Sequence, residues 1–152
     1  MSELLVPCAA LATALASMSL GGALYEFTVV DPFWPRRPDI IQPARGGISR
    51  KRFWIPAHVA FEVLLLALLI AAWSRPVVRL WSLIALASHV AMRIWSALDL
   101  IPKALAFEST DPVAIAEAAA RAWTHRSLLR LPLDLLTCSA MFASFAAACR
   151  LE

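Results

Sequence analysis

Four stretches of this chain are each apolar over the roughly 20 residues that an α-helix needs to cross a bilayer, and nothing else in the sequence restricts the fold so much. They run from Leu4 to Val30, from Phe53 to Trp73, from Val77 to Leu100 and from Ser127 to Cys149. Inside hydrocarbon each backbone N–H and C=O must be satisfied within its own segment, so each stretch is expected to be a helix. The composition agrees. Of the 152 residues 61% are hydrophobic and 16% charged, more apolar surface than a soluble domain of this size can hide. The six Trp suit the interfaces of a membrane. The expected fold is an all-α, integral membrane four-helix bundle of up-down-up-down topology, forming a single domain over residues 1–150.

The first stretch is too long for the core of a signal peptide and follows only Ser2 and Glu3 after Met1, so it is read as a retained helix. Leu151 and Glu152 are read as an expression scar outside the domain.

The connections differ in kind. Ser74, Arg75 and Pro76 alone join the second and third spans, which makes those helices an antiparallel hairpin. Asp31 to Arg52 carries four Pro, two Gly and six Lys or Arg and reads as a long, irregular cap over one end of the bundle. Between Pro102 and Arg126, Asp111 is placed as an N-cap with Pro112 at the first helical position, so Val113 to Thr124 is expected to be a short Ala-rich interfacial helix before the fourth span. Pro56 falls in the first turn of the expected second helix, where its missing N–H costs little, and Pro132 is expected to kink the fourth.

Basic residues set the orientation. Arg36, Arg37, Arg45, Arg50, Lys51, Arg52, Lys103, Arg121 and Arg126 lie in the long connections, against Arg75, Arg79 and Arg150 on the other side. The positive-inside rule then places the long connections in the cytoplasm and both termini outside, in the plasma membrane. The formal charge of +3 is topological in this reading. With no basic tract interleaved with aromatics, nucleic acid is not expected as a partner.

Ionisable side chains inside a membrane are costly and call for a partner or a function. In a tight hairpin, residues whose numbers sum to a constant lie at equal depth, which brings His58 and Glu62 to the level of His89 and Arg93. Each of those pairs is spaced i, i+4 and so shares one helix face. Glu26 near the end of the first span, and Arg130 and Asp134 near the start of the fourth, reach the same level; Asp99, Lys103 and His125 rim it. Ion pairs that merely fix helix order, Glu62 with Arg93 or Arg130 with Asp134, account for single residues. Seven such groups from four helices point instead to a polar pocket.

Within it His58 or His89 would act as a base, with Arg93 or Arg130 holding an anionic oxygen. Glu26, His58, Glu62 and His89 could be weighed as metal ligands, but the Glu-x-x-His spacing of di-iron bundles is absent and Arg93 would stand beside the cation. Haem between His58 and His89 is the other minority reading. No cofactor is the expectation. Cys8, Cys138 and Cys149 are read as small apolar residues, with a Cys8–Cys149 disulfide as a minority option. There is no Cys-x-x-Cys pair, Gly-rich phosphate loop or Gly-x-Ser-x-Gly elbow.

Helix faces of small residues, Thr13 with Ser17 and Gly21, and Ala140 with Ser144 and Ala148, predict close helix approach and leave room for a homo-oligomer.

Three segments carry a resemblance: GGALYEFTVVDPFW from Gly21, RIWSALDLIPKALAFE from Arg93 and RAWTHRSLLR from Arg121. They resemble the small four-span anthrone oxygenase-like family, long catalogued as a domain of unknown function. By position the resemblance singles out Tyr25, Glu26, Pro32, Trp34, Pro102, Trp123 and Arg130. Asp99 and Leu100 stand where its members carry aromatic residues. The resemblance implies an oxygenase-like reaction on aromatic anthrones without metal or flavin.

The expected function is therefore a membrane oxidoreductase acting on a lipophilic aromatic or quinonoid molecule. His58, Glu62, His89, Arg93 and Glu26 would carry the chemistry; Tyr25, Trp34, Trp54, Trp95, Trp123, Arg130 and Asp134 would bind the substrate. The alternatives are a non-enzymatic binder or carrier of haem, quinone or lipid, and a structural subunit of a membrane complex.

Overall fold

The computed structural model describes residues 4–150, so the residues around Ser2 and the proposed scar at Leu151 and Glu152 lie outside the described part. Among the described residues all regular structure is helical. The helices are α1 (Leu5–Tyr25), α2 (Lys51–Ala71), α3 (Pro76–Trp95), α4 (Ile101–Ser109), α5 (Glu117–Leu128) and α6 (Leu131–Cys149). They group into four continuous or nearly continuous rods, Leu5–Val30, Lys51–Ala71, Pro76–Ser109 and Glu117–Cys149, each long and apolar enough to cross a membrane.

Two of the rods hold a π-helical turn, a widened repeat often found at functional sites. After α1, Glu26–Val30 forms one, closed by the Asp31 N–H on the Glu26 carbonyl at 2.8 Å. After α3, Ser96–Leu100 forms the other, with the Ile101 N–H on the Ser96 carbonyl. The second joins α3 to α4, so the helix expected to stop at Leu100 runs on to Ser109. Pro102 does not end it, because at the second position of α4 its missing N–H interrupts little.

Other boundaries moved for physical reasons. Lys51 starts α2, two residues before the expected Phe53, which puts Pro56 in the helix interior and leaves the Arg52 carbonyl without its N–H partner. Asp111 does cap, accepting the Val113 N–H at 3.0 Å, but the turn it caps is a single 3-10 turn, Pro112–Ala114; α5 begins only at Glu117. Pro132 offers no N–H to the Leu128 carbonyl, and the rod breaks at Leu129 and Arg130 before α6 resumes.

The rods pack in a ring, α1 against α2 and α6, α6 against α3, and α3 more loosely against α2. Small residues allow the close contacts. The Thr13 hydroxyl donates to the Met141 carbonyl at 3.1 Å, Ser82 and Ser144 share a hydrogen bond of 2.9 Å, and Ala140 and Ala148 are buried between them. Phe61, Leu65, Leu68, Val78 and Met141 fill the middle. Part of the gap between α2 and α3 is occupied by the rings of His58, Phe61 and His89.

A second core caps one end: Trp34, Ile41, Leu100, Ala120 and Trp123 are buried together, with Phe107 against Trp34. The first connection is tied down rather than loose. Gln42, buried, donates to the carbonyls of Phe107 and Thr110, both at 2.7 Å, and so satisfies orphan groups at the end of α4. Gly46 takes a left-handed φ of 86°, and a Cβ on Gly47 would collide with the Asp39 and Ile40 carbonyl oxygens. Ion pairs Arg36–Glu117 and Arg45–Asp111 pin the connection to the segments around α5.

Candidate functional site

Beneath that cap a cavity of about 310 Å³ opens between α2 and the α3–α4 rod. Trp54, His58, Arg93, Trp123, Arg130 and Glu26 are among the side chains that line it. Its volume lies at the lower end of the range for small-molecule sites, roughly 300–1,000 Å³.

One wall is an ionic ladder. Glu26 accepts the Trp54 indole N–H at 3.0 Å and pairs with Arg50 at 3.3 Å; Arg50 reaches Glu108 at 3.9 Å, and Lys51 pairs with Glu108 at 2.7 Å. Arg50 and Glu26 are almost fully covered, and the guanidinium also lies 5.3 Å from the Trp123 ring centroid. Held by Glu26, the Trp54 indole stacks on His58, centroids 5.4 Å apart at 20°.

His58 has no hydrogen-bond partner on its buried Nδ1, so Nε2 is the nitrogen available to the cavity. Behind it, His89 lies 5.4 Å away ring to ring, and its Nε2 is 3.2 Å from Glu62. Glu62 also pairs with Arg93 at 3.3 Å, so one carboxylate links an imidazole and a guanidinium across the α2–α3 gap.

Arg130 is different from every other cation of the cavity. Its guanidinium donates to the Ser127 carbonyl at 3.3 Å, the Ser127 hydroxyl at 2.8 Å and the Ser96 hydroxyl at 3.4 Å, all neutral acceptors. Among the described residues no carboxylate lies within ion-pair distance of it, so the expected Arg130–Asp134 pair is not formed. The break before Pro132 lets the side chain turn back onto Ser127, and the π-turn presents Ser96.

The remaining expected site residues are spread. Tyr25 is exposed and lines a separate apolar groove of about 500 Å³ between α1 and α2, which shares Glu26, Arg50 and Trp54 with the first cavity as a common wall. Trp34 is fully buried behind the cavity, donating to Asp31 at 2.9 Å and packing edge-on to Trp123 at 5.8 Å. It supports the site without lining it. Trp123 lines the cavity and donates to the Leu100 carbonyl at 3.1 Å. Trp95 lines neither space, and Asp134 and His89 face a small internal cavity instead.

The Asp31 carboxyl, just beyond the first rod, is pushed up to about 6 by burial, with nearby Glu26 adding to the rise; the Trp34 hydrogen bond and the cations Arg50 and Arg130 oppose it.

No three of the described His, Cys, Asp and Glu side chains converge as a metal would require, so Glu26, His58, Glu62 and His89 do not form a chelating set. His89 has its Nε2 on Glu62, so only its Nδ1 would be open to an axial role opposite His58. All three cysteines are free, so Cys8 and Cys149 are not bridged.

Arg50, Glu108, Ser96 and Ser127 belong to the site although sequence reasoning passed over them. The sequence marks Arg50 only as a basic residue of a connection, and Glu108 falls beyond the expected end of the third span; the continuous helix through Ser109 is what brings Glu108 back over the cavity. Comparison with protein-family models, with curated proteins and with solved structures finds no match to this chain.

Proposed function

We propose that this protein is a membrane-embedded, oxygenase-like oxidoreductase that holds a flat, lipophilic phenolic or quinonoid molecule in the cavity between α2 and the α3–α4 rod. The observation that carries the reading is the guanidinium of Arg130, bound only by neutral oxygens at the wall of an aromatic cavity. A cation so placed in a low-dielectric setting favours a ligand that brings or develops an anionic oxygen. Trp54 and Trp123 offer flat faces for rings, and Arg93 adds a second cation.

His58 Nε2 is the base. It removes a proton from an acidic C–H or O–H of the substrate, and Arg130 and Arg93 stabilise the anion. The electron-rich anion reduces dioxygen, a C–O bond forms at the deprotonated ring carbon as a hydroperoxide, and loss of water leaves a carbonyl. In balance, a ring CH2 and O2 become C=O and H2O, the four electrons coming from carbon. The resemblance to the anthrone oxygenase-like family supports this class of reaction.

The same reading takes the four rods as up-down-up-down spans with α5 at the interface, in the plasma membrane, the cap cytoplasmic and both termini outside. The test uses purified protein in lipid nanodiscs with a hydroxylated anthrone as probe, following oxygen uptake and quinone absorbance. Turnover that disappears in His58→Asn and Arg130→Met is expected. Binding of the probe without oxygen uptake would leave a binder or carrier, the second reading that the laterally open cavity admits. Neither binding nor uptake would overturn the proposal.

A further inference from the structure

Deep to the large cavity, all four rods contribute to a small space of about 10 Å³ lined by Ala16, Ser19, His58, His89, Asp134 and Thr137, among others. Three of the lining residues carry a buried polar atom with no hydrogen-bond partner: Ser19 Oγ, His58 Nδ1 and Thr137 Oγ1. His58 and Thr137 are 6% and 5% exposed, so neither can turn to bulk solvent for a partner. Three orphaned atoms from three helices around one small space are unusual, because a buried polar group without a partner costs about 1–3 kcal/mol. The Asp134 carboxylate faces the same space and forms no ion pair among the described residues.

The space suits one molecule. A water site needs roughly 10–15 Å³ and two to four polar partners, and here Ser19, His58, Thr137 and Asp134 supply four. A cation is less well matched, since His58 and His89 stand on the wall and Arg93 and Arg130 lie at the same end of the bundle.

We propose that this space binds one ordered water that joins His58 Nδ1 to Asp134, making His58, water and Asp134 a relay that leads protons away from the large cavity. Bonded to the water, His58 rests as its Nδ1–H tautomer with Nε2 free to accept. When Nε2 takes a proton from a bound molecule, the Nδ1 proton passes to the water and a water proton passes to the Asp134 carboxylate. The reverse sequence returns it. Asp134 is then a positioning residue, not a catalytic one. The water site itself stands without the proposed function; the direction of proton flow rests on that reading.

The experiment is solid-state NMR of the full chain in lipid bilayers, without ligand, with 15N-labelled histidine. Magnetisation transferred from water protons should reach His58 Nδ1, and the ring should be the Nδ1–H tautomer. Thr137→Val, nearly isosteric, and Ser19→Val, which also fills space, should each abolish transfer to Nδ1 while transfer to Nε2 persists; that persistence shows the fold is retained. Asp134→Asn should keep the transfer but move the tautomer balance toward Nε2–H. No transfer to Nδ1 in the parent protein, or transfer unchanged in both valine variants, would overturn the water site. An unmoved tautomer balance in Asp134→Asn would remove Asp134 from the relay. Because no ligand is present, these outcomes are independent of whether the anthrone probe binds or reacts.

Discussion

Replacing Glu26 tests how the wall between the two large cavities is built. Its carboxylate, 13% exposed, accepts from Trp54 at 3.0 Å and from Arg50 at 3.3 Å. Glu26→Gln keeps one oxygen for the Trp54 N–H but puts its NH2 where Arg50 found an acceptor, so both the charge and the bond to Arg50 are lost. Glu108, 3.9 Å from Arg50, partly compensates, so the loss is that of one charge-assisted hydrogen bond, about 1.5–3 kcal/mol. Glu26→Ala strands both the indole N–H and a nearly covered guanidinium, and breaking a buried pair in this way costs about 3–5 kcal/mol. The two variants should therefore differ by about 1–3 kcal/mol, the contribution of the Trp54 bond. Reversible denaturation in mixed micelles measures both, with tryptophan fluorescence reporting whether Trp54 stays stacked on His58. Equal losses in the two variants, or losses under about 0.5 kcal/mol in both, the size of an ordinary surface substitution, would refute the claim that this carboxylate holds the wall together.

Other consequences follow from single features. Gly22→Ala would place a Cβ 2.5 Å from the Phe53 ring; the exposed ring must swing aside, at the low end of overpacking costs, about 1 kcal/mol, and Phe53→Leu should recover most of it in the same denaturation assay. Gly47→Ala should loosen the cap, read as faster tryptic cleavage after Arg45 and Arg50, because its Cβ would meet fixed backbone oxygens. The Asp31 carboxyl titrates near 6 when folded against an ordinary 3.8, so the folded state binds its proton more tightly and stability falls as pH rises from about 4 through 6. Asp31→Asn keeps an oxygen for Trp34 and should remove that decline, gaining on the parent across this window by on the order of 2–3 kcal/mol and holding a constant lead above it.

Hydrophobic length alone made the rods legible, because a helix long and apolar enough to cross a bilayer is marked by its own run of residues more than by its neighbours. The level of the ionisable groups was legible too: helical rise in a tight hairpin predicts that Glu62 meets the height of His89 and Arg93, and it bonds both. What could not be read was which side of each helix the groups beyond the hairpin would face. The widened turn at Ser96–Leu100 changes the angular register of everything after it, so Glu108 and Lys103 take directions that a uniform 3.6-residue repeat does not give. The break at Leu129 and Arg130 likewise decides that Arg130 bonds Ser127 and Ser96 instead of Asp134. The sequence offers Trp34 and Trp123 alike as substrate contacts, yet of the two only Trp123 reaches the cavity, since Trp34 finds its partner in Asp31 within its own turn.

The two widened turns also make the site a matter of counting. A wide turn spends five residues on nearly the arc that about four take in an α-helix, so it absorbs one residue while everything beyond it keeps its facing. Removing a single residue from Ser96–Leu100 would close the turn to the ordinary repeat and leave Glu108 beside Arg50, whereas the same deletion inside α4 ahead of Glu108 would swing that carboxylate by about 100° around the helix. A single-codon deletion should therefore be tolerated in the wide turn and harmful a few residues later, although neither removes a charged side chain of the cavity.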